Sequence, residues 1–432
     1  MSSTPAPRLP GRFWRLWTAG AVSNLGDGVL VAALPLLAAR ATGDRLSVGL
    51  VSTFVGLPWL LFALPVGSML DRVDRRRAIV LADTARALLV AVLAVVAAVG
   101  DLRIWMLWLL AFGLGLGEVV ADSASQAVLP AIVDTDGLDR ANGLRQAAEV
   151  AGNTFLGIPL GGVLFAAAVW LPLGFDAASF AVAAALVATV RGRFRPGPTQ
   201  RPSRGWSAEI ASGFRFLRRN DLLRHLVVVL TLLNLAFAAG ESTFVLYSKE
   251  LLHLSDRGFA VLLAAVGAGS IGAGIAGGWL VGRIGRRFAI VVASFTPAVT
   301  MAAVGTVASV WWVVPMLALQ AAMITIWSIV AVTLRQRLVP EHLFGRVNAV
   351  YRWCSWGAAP LGAFLGAAVA DWLGLRAPWF LGAGLVLLAA LLALVHLREP
   401  VIRRALDAVP GGPPSATDDT PVHLDDLDRL QP

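Results

Sequence analysis

The chain has 432 residues, of which 57% are hydrophobic and only 15% are charged, and its formal net charge is +9. This small fraction of polar residues cannot cover the surface of a soluble globular protein of this size. The composition therefore excludes a soluble protein and indicates one that is integral to a bilayer. The single cysteine, Cys354, excludes an intramolecular disulfide and a structural metal site built from thiolates.

Apolar stretches of about 20 residues, the length that a helix needs to cross roughly 30 Å of hydrocarbon, occur twelve times. The first follows an arginine-rich start, but it is too long for a secretory signal, contains Asp27 and lacks a cleavage site, so we predict a retained span. The predicted fold class is all-α integral membrane. The predicted spans are 13–39, 47–69, 78–99, 104–127, 142–169, 172–190, 222–247, 258–281, 288–308, 311–334, 348–373 and 377–397.

An arginine-rich turn occurs twice, after the second and the eighth predicted span. Its copies are GSMLDRVDRRR at 67–77 and GWLVGRIGRR at 278–287. A repeat at this distance between apolar runs indicates two similar halves, so we predict two pseudo-symmetric six-helix bundles. The predicted segments are an N-terminus at 1–12, a first bundle at 13–190, a linker at 191–221, a second bundle at 222–397 and a tail at 398–432.

Arginines are concentrated in the loops on one side of the predicted spans, at 72–77, 191–220, 283–287 and 335–346. Short cytoplasmic loops hold an excess of Lys and Arg, so we predict a multi-pass protein of the cytoplasmic (inner) membrane with both termini cytoplasmic. This rule and contact with anionic membrane lipids explain the net charge, so no nucleic-acid binding is predicted. The linker is predicted to contain a basic amphipathic helix, and the tail to be disordered.

The residue types that an ATPase or a hydrolase would need are missing. A P-loop needs a lysine beside the phosphates, and the only lysine, Lys249, follows no glycine-rich loop. None of the five histidines lies near a serine or cysteine in a nucleophile motif. We therefore expect no ATP hydrolysis through a Walker site, no cofactor, no metal and no enzymatic activity.

The first arginine-rich turn resembles a known signature. Its pattern of Gly67, Asp71, Arg72, Arg75 and Arg76 is similar to motif A of the major facilitator superfamily of secondary transporters. The resemblance covers residues 12–400 and implies the major facilitator fold. In this family, spans one, four, seven and ten line a central cavity.

Further stretches narrow the resemblance to a branch of the superfamily. They are SNLGD at 23–27, QAVLP at 126–130 running to DRANG at 139–143, and GIPLGG at 157–162. Together they are similar to the drug exporter branch that includes macrolide efflux proteins and the enterobactin exporter. The loop PEHLFGRVNA at 340–349 echoes the DRANG stretch of the first half.

The resemblance implies that motif A latches the cytoplasmic side shut. Gly67 would let span two approach a neighbour closely, and Asp71 would lie at the positive end of a helix of the other half. Because Gly282 replaces the acid in the second copy, only the first half can form the carboxylate version. The alternative is that the arginines only fix the topology. The predicted latch residues are Gly67, Asp71, Arg72, Arg75, Arg76, Arg283 and Arg286.

Span five resembles the antiporter motif of the family, although Ile158 separates the glycine and the proline that are usually adjacent. Gly157, Pro159, Gly161 and Gly162 predict a thin, bendable helix that packs tightly against the other half. The resemblance implies an exporter that avoids leaking. The alternative is ordinary close helix packing.

Charged residues inside the predicted spans are costly in hydrocarbon, so they usually face a cavity or a partner. A carboxylate that alternates between a dry cavity and contact with an arginine can load and release a proton. Asp27, Glu118 and Asp122 are the candidates for proton coupling. The alternatives are a local helix break at Asp27 and static ion pairs for the other two. The supporting ion-pair network is predicted to contain Asp83, Arg86, Arg145 and Glu149.

The spans of the second half offer polar amides and aromatic side chains with almost no charge at mid-depth. An aromatic, sparsely polar wall suits a large, mostly apolar or amphipathic small molecule. The candidates for a substrate pocket are Asn24, Asn234, Gln320, Trp327, Tyr351 and Trp353.

These observations predict a secondary active transporter that exports hydrophobic or amphipathic small molecules of the drug or siderophore class. Export is predicted to occur by proton antiport with alternating access. Two alternatives stay open. One is uptake or facilitated diffusion of a small metabolite, or lipid flipping, without proton coupling. The other is a transporter-like sensor that moves nothing.

Overall fold

The computed structural model describes residues 9–70, 72–134, 137–192, 194, 206–339 and 341–396. The first-half helices are α1 (Gly11–Ala41), α2 (Arg45–Leu70), α3 (Arg75–Val99), α4 (Ile104–Ile132), α5 (Leu138–Val150), α6 (Ile158–Ala167) and α7 (Leu171–Ala188). They are followed by α8 (Trp206–Arg219), α9 (Asp221–Glu241), α10 (Phe244–Leu246), α11 (Asp256–Ile284), α12 (Arg286–Thr306), α13 (Val310–Leu338), α14 (Glu341–Trp356), α15 (Ala359–Leu373) and α16 (Ala377–His396). The predicted tail at 398–432, Asp71 and residues 1–8 lie outside the described residues.

The described part of the chain contains twelve helical spans that are long and apolar enough to cross a membrane, which confirms the predicted count. Two spans are interrupted. A π-helical segment, Ala151–Gly157, joins α5 to α6, and a turn at 357–358 separates α14 from α15. The seventh span was predicted at 222–247, but its helix, α9, ends at Glu241. A second π-helical segment, Tyr247–Leu251, follows α10.

Local capping residues fix several helix ends. Asp74 precedes α3 and its carboxylate accepts the backbone N–H of Arg77 at 3.1 Å, while Gly100 ends that helix with a φ of 86°. The hydroxyl of Ser255 accepts the N–H of Gly258 at the start of α11. Such caps satisfy backbone groups that have no partner inside the helix.

Because consecutive spans run in opposite directions, their ends alternate between two sides of the molecule. We call the side where α2 ends, α3 begins and α8 lies the linker side, and the opposite side the far side. The helix α8 packs against α14 and α9.

The two halves contact each other mainly through α2 with α15 and α6 with α11. A Cβ on Gly56 of α2 would lie 3.1 Å from the ring of Pro360, and Gly162 of α6 faces Ala260 of α11 at similarly close range. These contacts lie in the mid-depth and far-side portions of the helices. On the linker side the inter-half contact between α2 and α14 is smaller, so the halves separate there and leave a cleft bounded by α2, α4 and α14.

Candidate functional site

A buried ion pair on α3 is the centre of the site. Arg86 and Asp83, three residues apart, form a salt bridge, and Arg86 is only 4% exposed. The guanidinium lies 4.1 Å from the ring centroid of Phe180 on α7. Gly117 of α4 leaves room for the arginine stem, because a Cβ there would lie 2.6 Å from Arg86 Cδ. Three helices therefore fix this one cation.

Two further acids approach Arg86 from other helices. Asp27 of α1 lies 4.0 Å from Arg86 and accepts a 3.5 Å hydrogen bond from Ser23. Asp176 of α7 is fully buried; its Oδ1 accepts a 3.3 Å hydrogen bond from Ser179, and its Oδ2 has no hydrogen-bond partner in the described part of the chain. The two helices meet at Gly26, whose missing side chain leaves room for Asp176 and Ser179.

Glu118 lies near the middle of the 29-residue α4, and its side chain is exposed. It is within the electrostatic range of Arg86 and Asp27, and the side chain of Trp59 on α2 lies beside it. Among the described residues, no cation lies within the 4.0 Å of a salt bridge from Glu118. An exposed carboxylate at this depth faces the cleft between the halves.

Asp122, one turn from Glu118 on the same face of α4, joins the two halves. Its carboxylate lies 3.2 Å from Arg145 of α5 and 3.4 Å from Arg352 of α14, and it accepts a 2.8 Å hydrogen bond from Gln126. Glu149 lies within the electrostatic range of both arginines. The predicted network is therefore two clusters, one around Arg86 and one around Asp122, with Glu118 between them.

Arg352 also stacks 5.4 Å from the ring centroid of Trp59, and the next residue, Trp353, donates a 3.0 Å hydrogen bond to the Leu60 carbonyl. Both contacts cross from α14 to α2. The cleft thus closes at this point through aromatic and charged contacts.

On the far side, charged residues also link the halves. Arg40, at the end of α1, lies 2.5 Å from Asp256 at the start of α11, and Lys249 lies 2.7 Å from the same carboxylate. Arg45 of α2 lies 3.4 Å from Glu250. These pairs supplement the close helix packing that closes this side.

The predicted latch is described only in part. Asp71 and the side chain of Arg286 lie outside the described residues. Among the described residues, nothing lies within 4 Å of the position that a Cβ on Gly67 would take, so the predicted close approach is absent in this conformation. Arg283 lies 5.4 Å from the ring centroid of Trp279 on its own helix.

The other latch arginines lie around the start of α3. Arg75 donates to the Ala127 carbonyl of α4 at 3.1 Å, and Arg76 donates to the Val190 carbonyl after α7 at 3.0 Å. Arg72 is exposed. The two hydrogen bonds hold the turn within the first half, whereas a latch was predicted to join the halves. The latch between the halves stays a prediction.

The glycine motif of span five packs mainly within its own half. Cβ atoms on Gly157 and Gly161 would collide with Gly28 and Val29 of α1, and only Gly162 faces the second half. Within this motif, Gly162 faces Ala260 of the second half at close range. Pro159 opens α6, where its missing N–H needs no partner.

Three of the substrate-pocket candidates pack between second-half helices. Trp327 and Tyr351 are each 2% exposed, so they do not line an open space in this conformation. Gln320 is buried beside Thr300.

The other three candidates lie at helix junctions. Asn234 donates a 3.0 Å hydrogen bond to the Ser355 carbonyl beside the break between α14 and α15. Asn24 lies against the π-helical segment at Gly152. Trp353 is the candidate that reaches the cleft.

Asp176 and Arg352 were missed as site residues by the sequence reasoning. Each is a charged residue inside a predicted apolar span, which is the same signal that identified the other acids. The role of Trp59 has no comparable sequence signal, because tryptophans in apolar spans also serve as packing residues.

A sequence profile of the family described as transmembrane secretion effector matches residues 2–415. The chain belongs to this family. The transmembrane secretion effector family is one of the families of the major facilitator superfamily, so the predicted resemblance to that superfamily is confirmed.

Several named transport proteins are similar in sequence to this chain over nearly its whole length. Macrolide efflux protein A of Streptococcus pyogenes is 24% identical over 394 residues, covering 90% of this chain and 96% of the relative. The multidrug efflux pump Tap of Mycobacterium tuberculosis is 28% identical, covering 89% and 92%. The enterobactin exporter EntS of Citrobacter koseri is 26% identical, covering 93% and 95%.

Solved structures confirm the fold. A mutant of the nucleoside transporter NupG superposes with a TM-score of 0.74 at 10% identity, covering 90% of this chain and all of that one. A bacterial homologue of the lysosomal transporter Spinster gives 0.68 at 13% identity, covering 92% and 97%. The chain therefore has the major facilitator fold of two six-helix bundles.

Proposed function

We propose that this protein is a proton-coupled exporter of hydrophobic or amphipathic small molecules, of the drug or siderophore class. The observation that carries the proposal is the excess of carboxyl groups around one buried arginine, beside a cleft between the halves. Asp27, Asp83, Asp176 and Glu118 surround Arg86.

Charge balance supports the coupling to protons. Four ionised carboxylates and one guanidinium would leave an uncompensated negative charge in a region of low dielectric, which is strongly unfavourable. Protons or a cationic cargo can compensate that charge. The cluster is therefore suited to exchange one for the other.

The geometry also supplies a route for the exchange. Glu118 is exposed and lies within the electrostatic range of Arg86 and Asp27, and Asp27 lies 4.0 Å from Arg86, which pairs with Asp83. Asp122 binds Arg352 of the other half, so a rocking motion of the halves would break and remake that pair. The electrostatic surroundings of Glu118 would change with each cycle, and a proton would load and leave.

The export direction and the substrate class are supported by the relatives, which are efflux proteins for macrolides, several drugs and enterobactin. We place the protein in the cytoplasmic membrane with both termini in the cytoplasm. Protons would supply the energy, with no use of ATP, and the cargo would cross between the halves without covalent chemistry.

Transport into proteoliposomes tests the proposal. With an acidic lumen, we expect a radiolabelled macrolide or a fluorescent hydrophobic cation to accumulate, and a protonophore to abolish the accumulation. Glu118→Gln and Asp27→Asn should reduce the rate to that measured without a pH gradient, because each removes a group that carries the proton.

Asp101→Asn is the matched control, since Asp101 lies outside the cluster and forms an exposed salt bridge with Arg103 in a loop. It should leave transport unchanged. Flux that is indifferent to the pH gradient, or to both cluster variants, would contradict proton coupling by these residues. The absence of flux for both probes would contradict export of this substrate class.

A further inference from the structure

A groove of about 1100 Å³ runs along the outer surface of the first half, between α3 and α4. It lies on the surface that faces lipid, because Leu81 and Leu88 of α3 are 70% and 64% exposed in the middle of an apolar span. Its lining includes Ala85, Arg86 and Leu89 of α3 and Gly113 and Gly117 of α4.

Two glycines of α4 create the groove. Gly113 and Gly117 lie one turn apart, and their missing side chains let Leu89 and the stem of Arg86 lie against the α4 backbone, where they line the groove. The inner end of the groove therefore consists of the apolar part of Arg86. The buried Nε of this residue has no hydrogen-bond partner among the described residues.

The length of the groove matches one leaflet of a bilayer. From Arg77 at its mouth to Leu89 at its inner end, α3 rises about 18 Å. The hydrocarbon core is about 30 Å thick, so the groove covers a little more than half of it. An acyl chain of a single lipid fits this depth.

Among the described residues, arginines outnumber acids at the mouth of the groove. Arg72 and Arg77 are both exposed, and within the described residues neither side chain has an ion-pair or hydrogen-bond partner. Of the described residues at the mouth, Asp74 is the acid, and it already caps α3 through the N–H of Arg77. Two free guanidinium groups at the membrane surface are complementary to a phosphate.

We propose that this groove binds one phospholipid with an anionic headgroup, from the leaflet on the linker side. Arg72 and Arg77 bind the phosphate, and one acyl chain lies between α3 and α4 until it reaches the stem of Arg86. This acyl chain excludes water from the outer face of α3, the helix that holds the Asp83–Arg86 pair. This lipid site does not depend on what the protein transports.

Native mass spectrometry of the purified full-length protein tests the site. In detergent supplemented with phosphatidylglycerol or phosphatidylcholine, we expect one phosphatidylglycerol to be retained more tightly than phosphatidylcholine. Ala85→Phe fills the groove from its exposed wall and should abolish this retention. Leu88→Phe, on the same helix but outside the lining, should keep it.

The headgroup contact is tested by charge removal. Arg72→Gln and Arg77→Gln should each weaken phosphatidylglycerol binding about fivefold, because each surface arginine loses one attraction to the phosphate. Arg287→Gln, in the second copy of the turn, is the control and should have no effect. Equal retention of both lipids, or equal behaviour of Ala85→Phe and Leu88→Phe, would overturn the proposal. Displacement of the lipid by a macrolide would identify a cargo site instead and would also overturn it.

Discussion

Arg86 is buried and contacts residues of several helices at once. It pairs with Asp83 of its own helix, approaches Asp27 of α1 and stacks on Phe180 of α7. A buried ion pair contributes little net stability, since desolvation offsets the attraction between the charges. Removing only one partner is costly, because an uncompensated charge stays behind. The arginine is therefore essential to the fold for as long as the acids are ionised.

Arg86→Gln should lower the free energy of unfolding by about 3 kcal/mol or more, measured by SDS titration in mixed micelles. The double variant Arg86→Gln/Asp83→Asn should recover part of that loss, because it removes both charges. Arg103→Gln is the matched control and should change stability by less than about 0.5 kcal/mol, since its pair with Asp101 is mostly exposed. A double variant less stable than Arg86→Gln would contradict this account.

At the scale of elements, α1 and the π-helical segment of span five touch backbone to backbone. A Cβ on Gly28 would lie 2.6 Å from the carbonyl oxygen of Asn153, and a Cβ on Gly157 would lie 2.5 Å from Gly28 Cα. π-Helical segments are frequent at functional sites, and this one packs one turn away from Asp27. The irregular segment sets how α1 presents this acid to Arg86.

Gly28→Ala should therefore destabilise the protein by about 1–3 kcal/mol, the usual cost of overpacking, and should slow transport. The added methyl group meets backbone atoms, which cannot turn aside as a side chain would. Gly20→Ala, in the same helix with nothing within 4 Å, should be neutral or slightly stabilising. SDS titration and proteoliposome flux measure both effects. Equal stability of the two variants would show that α1 can shift without cost.

At the scale of the whole molecule, the two halves are closed on the far side and separated on the linker side. Packing of α2 on α15 and of α6 on α11 supplies most of the far-side contact. The pair of Arg40 and Asp256 adds a charge contact between the halves, and Arg40 also lies 4.5 Å from the ring centroid of Phe165. Opening the far side must break these contacts, so they bias the molecule toward the observed state.

Arg40→Gln should shift the population toward a far-side open state. In a Cys354→Ser background, spin labels at Asp101→Cys and Asp371→Cys would report the distance between the far-side ends of the two halves by pulsed EPR. We expect the variant to show a larger share of long distances than the parent, because one inter-half contact is lost. Arg103→Gln should leave the distribution unchanged. An identical distribution for Arg40→Gln would mean that helix packing alone sets the closed state.

The charged residues separate what local pattern predicts from what it cannot. Asp83 and Arg86 are three positions apart in one helix, so their pairing follows from helical geometry. Asp122 and Arg145 are both recognisable as charged residues inside predicted spans, but the contact of Asp122 with Arg352 depends on how α14 crosses α2 and α4. Likewise, the pattern GIPLGG predicts close packing, but its main partner is α1 rather than the second half.

The amino-acid sequence is enough to predict the membrane class, the twelve helices and which predicted span carries each acid. In hydrocarbon every backbone group must be bonded within the segment, so long apolar runs can only be helices of membrane-spanning length. Only the tertiary structure decided that Asp27, Asp176 and Glu118 share one arginine, that Asp122 bridges the halves and that a groove opens between α3 and α4. These features depend on helix rotation and on distances set where glycines let helices touch, which no local pattern contains.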